Sequence, residues 1–318
     1  MKRKIALVCA AAMVLSLAAC GNTASESTAS ESTVSESTAS ESTSATTEAA
    51  EETASDFDAT QAITVITREE GSGTRGAFIE LTGVEEKNDA GEKVDNTSAG
   101  AATQNSTNGV MTTVANDETA IGYISLGSLN DTVKAVTVGG VAASADTVKD
   151  GTYTLARPFN IVTNGEVTDE LAVDFLNFCM SSEGQAIATE EGYIGGEGEA
   201  FESTMPSGSI TVGGSSSVSP LMEKLIEAYK AVNANASIEL LTTDSTVGVS
   251  GALDGTYTIG MASRELKDSE VEAGAVGTVL AMDGIAVIVN PANPIEDLTT
   301  DQIKSIYVGE TTTWDAIQ

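Results

Sequence analysis

Residues 209–229 read SITVGGSSSVSPLMEKLIEAY. A short β-branched run breaks at Gly213 and Gly214, passes through Ser215, Ser216 and Ser217, and opens a helix whose Leu221, Met222, Leu225, Ile226 and Tyr229 recur at helical spacing. Small residues there free the backbone at a helix start, where the first N–H groups have no intrahelical partner and the dipole favours an anion. Pro220 suits the first helical turn. Helix capping by serine explains the same residues, so the stretch gains meaning only if a second one shares its design.

Residues 63–76, ITVITREEGSGTRG, share it: strand ITVIT (63–67), a small-residue loop, then a helix from AFIELT. Capping requires neither Arg68 before the turn nor Arg75 after it, and Arg68 is the first basic residue after Lys4. Glu69 or Glu70 is placed to orient the planar fork of Arg68 toward an oxyanion. Arg75 either touches the ligand or closes a salt bridge across the cleft.

Competing chemistries fit less well. Gly71, Gly73 and Gly76 spell the dinucleotide pattern G-x-G-x-x-G, but no acidic residue at the end of a following strand is placed to take a ribose. Neither loop contains the Gly-Lys-Ser/Thr of a nucleotide hydrolase. The chain has no histidine, which excludes a Ser-His-Asp triad and imidazole metal ligands. A serine paired with lysine is conceivable, yet neither loop holds Ser-x-x-Lys; a secreted phosphoester hydrolase using a cradle serine such as Ser72 is the alternative class.

Further β-branched runs lie at 120–127 (AIGYISLG), 157–165 (RPFNIVTNG), 236–243 (ASIELLTT), 257–263 (YTIGMAS) and 284–291 (GIAVIVNP). Helical patterns cover 169–192 and 299–309. Strands alternating with helices predict an α/β protein, and residues 57–318 suffice for two lobes.

The first 19 residues form a signal peptide, basic at Lys2, Arg3 and Lys4 and then apolar. Leu17-Ala18-Ala19-Cys20 looks like a bacterial lipobox, so the mature chain starts at a lipid-carrying Cys20 on the outer face of the cell membrane. Residues 20–56 hold four five-residue units beginning at Ser25, Ser30, Ser35 and Ser40 and read as a disordered, self-repelling tether. Removing the signal takes the formal charge from −32 to −35, which argues against nucleic acid as a partner. Cys179 is then the one free thiol, in an apolar run that predicts burial, and Trp314 and Tyr307 are expected to pack beneath the second lobe.

Six stretches together resemble the phosphate-binding proteins of ABC phosphate importers: ITVGGSSSVSPLMEKLIEAY, TDSTVGVSGALDGTYTIGMASRELKDSE, LAMDGIAVIVNPANPIEDLTTDQIKSIYVGETTTWDAI, ITREEGSGTRGAF, AIGYISLGSL and LARPFNIVTNG, with SEGQAI beside them. The resemblance implies a type II periplasmic-binding fold with two lobes hinged around one anion, acting without metal or cofactor beside ABC permease subunits. The segment order differs from that family pattern: the piece that should follow Gln318 begins at about Phe57, as in a circular permutation, with residues 195–208 as the new linker. The first lobe would be contiguous over 156–281 and the second split into 57–155 and 282–318, with hinges near LAMDG and LARPF. A monomer is expected; two chains exchanging halves is the alternative.

The resemblance further implies that Ser216, Ser217 and Ser245 hold phosphate from the first lobe, and Arg68, Ser72, Gly73 and Thr74 from the second. Rejection of sulfate needs a buried acceptor for the phosphate proton. Relatives place an aspartate after the segment matching GMAS, where this chain has Ser263 and Arg264, and Asp283 is the substitute candidate. Arg264 is either a third cationic ligand or a partner of Glu265 or Asp268. Binding of sulfate in place of phosphate is the nearest alternative.

Overall fold

The computed structural model describes residues 57–317; the signal segment, Cys20 and the tether lie outside the described residues. A nine-stranded sheet organises the chain. In chain order its principal strands are β1 (Thr64–Arg68), β2 (Ala102–Gln104), β3 (Ala120–Ser125), β4 (Ala156–Asn164), β5 (Gly208–Ser215), β6 (Ala236–Thr243), β7 (Ile259–Ala262) and β8 (Ala275–Val289). Their spatial order is β6-β5-β7-β4-β8-β3-β1-β2, and the short pair Lys134–Ala135 adds to β8. The principal helices are α1 (Gly73–Thr82), α2 (Thr107–Ala115), α3 (Glu170–Cys179), α4 (Ser182–Glu190), α5 (Ser219–Val232), α6 (Ser245–Asp254) and α7 (Thr300–Val308).

Strand β8 joins the two halves of this sheet. From Ala275 to Gly284 it pairs antiparallel with β4; from Ile285 to Val289 it pairs with β3. One hydrophobic core, from Phe159 to Ala281, lies on the first side of that switch, and another, built from Ala77 to Leu155 and Ile285 to Trp314, on the second. The molecule is a two-lobed α/β protein in which β8 runs from one lobe into the other and the chain crosses back where Leu155 leads into β4.

Local sequence explains the elements. The long pattern at 169–192 forms two helices because Ser181 ends α3 by donating to Phe178 O and caps α4 by accepting from Gly184 N. Helix α5 buries Leu221, Met222, Leu225, Ile226 and Tyr229, the expected stripe. Cys179 is fully buried, and burial pushes its thiol pKa well up. Trp314 and Tyr307 are fully buried in the second core, where Phe78 stacks on Tyr123 at 3.9 Å and meets Tyr307 edge-on.

The ends of the described chain run side by side. Ile63 N donates to Thr312 O at 2.8 Å and Asp315 N to Ala59 O at 2.9 Å. The 195–208 segment is tied to the first lobe: Ser182 N donates to Glu199 O, Phe201 packs on Phe178, and Ser203 and Thr204 donate to Asp174. Met205, exposed within it, takes the left-handed φ of 56° that disfavours side chains. A chain closed from residue 318 to 57 by a short Gly-Ser link and opened between Met205 and Pro206 should therefore unfold cooperatively, within a few degrees of the parent. Thermal denaturation followed by circular dichroism checks this; a non-cooperative melt would contradict the adjacency of the ends.

Candidate anion-binding site

Helices α1, α2, α5 and α6 all follow strands of the sheet, and side chains of their first turns or preceding loops meet between the lobes. In three of the four a side-chain cap serves a later amide: Ser72 Oγ accepts from Arg75 N, Ser106 Oγ from Gly109 N, and Asp244 Oδ1 from Val247 N. Among the described residues, no protein acceptor meets the N–H groups of Gly73, Thr74, Thr107 or Ser245. All four residues are buried. Buried helix starts without partners are expected where a ligand supplies them.

The hydroxyls of the two lobes converge on the same place. Thr74 Oγ1 lies 2.8 Å from Ser217 Oγ, and Thr107 Oγ1 lies 3.2 Å from Ser217 Oγ and 3.5 Å from Ser216 Oγ. Arg68 Nη2 donates to Ser216 Oγ at 3.1 Å. On the first lobe Ser215 Oγ donates to Ser263 Oγ at 2.9 Å, and Ser245 Oγ accepts from Ser263 N at 3.0 Å. Gly73 has no room for a side chain: a Cβ there would stand 2.8 Å from Ser263 Oγ and closer still to Ser245 Oγ.

Thr107 was not expected. Its strand β2 is only three residues long, too short to stand out as a periodic run, but Gln104-Asn105-Ser106-Thr107-Asn108-Gly109 repeats the small, hydroxyl-rich helix start of the other cradles.

Every arginine in residues 57–317 has a carboxylate partner. Arg68 donates from Nε and Nη2 to Glu69, so Glu69 rather than Glu70 orients it. Arg75 pairs with Asp95 and donates to Arg68 O, within its own lobe rather than across the cleft. Arg264 forms a bidentate pair with Glu270, not with Glu265 or Asp268, and donates to the Glu265 carbonyl. Burial pushes the Glu270 carboxyl up, but the hydrogen bonds from Arg264 and Lys267 outweigh it and hold its pKa below the ordinary value. The fourth, Arg157, pairs with Asp283. An anion at the convergence point thus meets oriented N–H and O–H dipoles and balanced charge pairs.

Asp283 stands behind the hydroxyl cluster. Its Oδ1 accepts from Ser125 Oγ at 2.9 Å and its Oδ2 from Arg157 Nη2 at 3.0 Å, and no hydrogen bond joins it to a cradle hydroxyl. Burial raises its pKa to about 6, against the opposing pull of Arg157, Ser125 and the Gly127 amide. The folded state therefore holds this proton more tightly than the unfolded chain, and stability due to Asp283 is greatest below about pH 4 and declines as pH rises from about 4 to 6. Urea unfolding across that interval should show the wild type losing stability relative to Asp283→Asn; a constant difference would contradict the shift.

The chain matches the family model described as PBP superfamily domain over residues 43–183 and 199–317. It is 49% identical over 253 residues to phosphate-binding protein PstS 2 of Streptococcus agalactiae, covering 79% of this chain and 86% of the relative. The chain belongs to the family of phosphate-binding proteins. A crystal structure of the phosphate-binding protein of a phosphate ABC transporter from Streptococcus pneumoniae superposes with a TM-score of 0.65 at 44% identity, covering 81% of this chain and all of that one. Matches of such length require the same segment order in both chains. Against phosphate-binding protein PstS of Bacillus subtilis the alignment spans 138 residues, 42% of each chain, at 34% identity.

Proposed function

We propose that this protein binds inorganic phosphate between its lobes and hands it to the permease of an ABC importer. The observation that carries this reading is the set of buried first-turn amides at Gly73, Thr74, Thr107 and Ser245, without an acceptor among the described residues, on helix starts whose side chains meet the hydroxyls of Ser216, Ser217 and Ser263. Ser216, Ser217 and Ser245 would hold the anion from the lobe of residues 156–281. Arg68, Ser72, Gly73, Thr74 and Thr107 would hold it from the lobe of residues 57–155 and 282–318. Ser263 lines the site, while Arg264 and Asp283, committed to Glu270 and Arg157, support it from behind.

The reading extends to the whole chain. Lipid on Cys20 and the tether of residues 20–56 would keep the monomer at the outer face of the cell membrane. The segment order is a circular permutation shared with the streptococcal relatives, with residues 195–208 joining the ancestral ends. Ser72 serves as a helix cap, and among the described residues no hydrogen bond ties it to a base, which favours capture over phosphoester turnover.

Calorimetric titration should give one phosphate per chain and little heat with sulfate; sulfate heat without phosphate heat would overturn the reading. Gly73→Ala, whose methyl would collide with Ser245 and Ser263, should weaken phosphate binding by about a hundredfold or more. Thr74→Val should cost about tenfold, the loss of one hydrogen bond in a buried site. Because the arginines are paired, raising sodium chloride should change affinity by less than about threefold.

A further inference from the structure

We infer that Arg157 is a positioning residue of the anion site: braced on Asp283, and through it on Ser125 of the other lobe, it fixes the Ser263 peptide and the Ser215–Ser263–Ser245 hydroxyl chain against Gly73. This rests on the phosphate reading and extends it to a residue outside the ligand shell.

The geometry is specific. Arg157 and Asp283 stand directly opposite each other on β4 and β8, next to the point where β8 changes partner. Both are almost completely buried, at 2% and 1% exposure. The Arg157 fork divides its work: Nε and Nη2 face Asp283 Oδ2, while Nη1 donates to Ser263 O at 3.1 Å. The Ser263 N–H is held at the same time by Ser245 Oγ. With its peptide pinned on both sides, Ser263 presents its hydroxyl to Ser215 and stands where a Gly73 side chain would clash. The next carbonyl, Arg264 O, is likewise held by Asn160 of β4.

The brace crosses the lobe junction, since Ser125 ends β3 in the second lobe and Ser263 follows β7 in the first. A buried ion pair contributes little net stability compared with apolar residues of the same volume, so its value here lies in registry. The groups facing Asp283 are Arg157 from β4, Ser125 from β3 with the Gly127 amide after it, and the phenols of Tyr153 and Tyr193; Arg68 is the cation that acts on Arg157 from the site side. Protonating Asp283 removes the charge that anchors the guanidinium.

The test measures phosphate affinity and thermal unfolding of the purified chain at pH 7.5 and 5.5, for the wild type, Arg157→Lys, Asp283→Asn and Ser125→Ala. Absence of phosphate binding by the wild type would end the phosphate reading itself. Given wild-type binding, Arg157→Lys, which keeps the charge near Asp283 but lacks the arm to Ser263 O, should melt near the wild type yet bind about tenfold more weakly. Asp283→Asn should bind about tenfold more weakly at pH 7.5, with its gap to the wild type shrinking at pH 5.5. Ser125→Ala should give a smaller loss in the same direction. Wild-type affinity in Arg157→Lys, or in both Asp283→Asn and Ser125→Ala should Arg157→Lys fail to fold, would overturn the inference. So would a gap between Asp283→Asn and the wild type that does not change with pH.

Discussion

Four helix starts from two lobes share one buried place, and the amides of Gly73, Thr74, Thr107 and Ser245, which find no acceptor among the described residues, set the terms for everything around them. Buried N–H groups cost roughly 1–3 kcal/mol each when nothing accepts from them. Such a cluster is tolerable only if an acceptor visits, and each helix start adds a partial positive charge of about half a unit. The close packing of Gly73 against Ser245 and Ser263 follows from the same need, since any side chain would hold the donors apart.

Charge is handled separately from donation. The chain carries a formal charge of −32, yet the proposed anion site sits among balanced charges, because Arg68, Arg75, Arg157 and Arg264 are each matched by a carboxylate. Matching fixes the guanidinium planes, so Arg68 keeps one N–H on Ser216 while Glu69 accepts from two more, on Nε and Nη2. An acidic surface and an anion site coexist because the donors act over hydrogen-bond distances, whereas the long-range field is screened within about 10 Å.

The two cradles were legible in the sequence because their information is local: a strand, a small-residue loop and a helix lie within some twenty residues. Arg68 stood out because basic residues are scarce. Thr107 escaped because a three-residue edge strand carries no period, and the Arg264–Glu270 pair because the loop 265–267 and a helix start separate its members. The partner switch along β8 was hidden for another reason. Its first half, AVGTVLAM, has exposed valines at 276 and 279 and a register shift near Leu280, so it lacks the continuous apolar run that marked GIAVIV.

That same strand explains why a polar pair sits where the lobes join. Apolar residues at positions 157 and 283 would avoid burying charge, and the raised pKa of Asp283 shows that burial works against its ionised form. They would also leave the Ser263 carbonyl without its Arg157 donor and remove one of the directional links between the lobes. Packing tolerates sliding between apolar surfaces, whereas a guanidinium bonded to both Asp283 and Ser263 accepts only one register. The segment after α4 is drawn into the same junction, since Ile194 and Met282 exchange backbone hydrogen bonds one residue from Asp283. Residues just ahead of the 195–208 segment thus brace the strand whose pairing passes from one half of the sheet to the other.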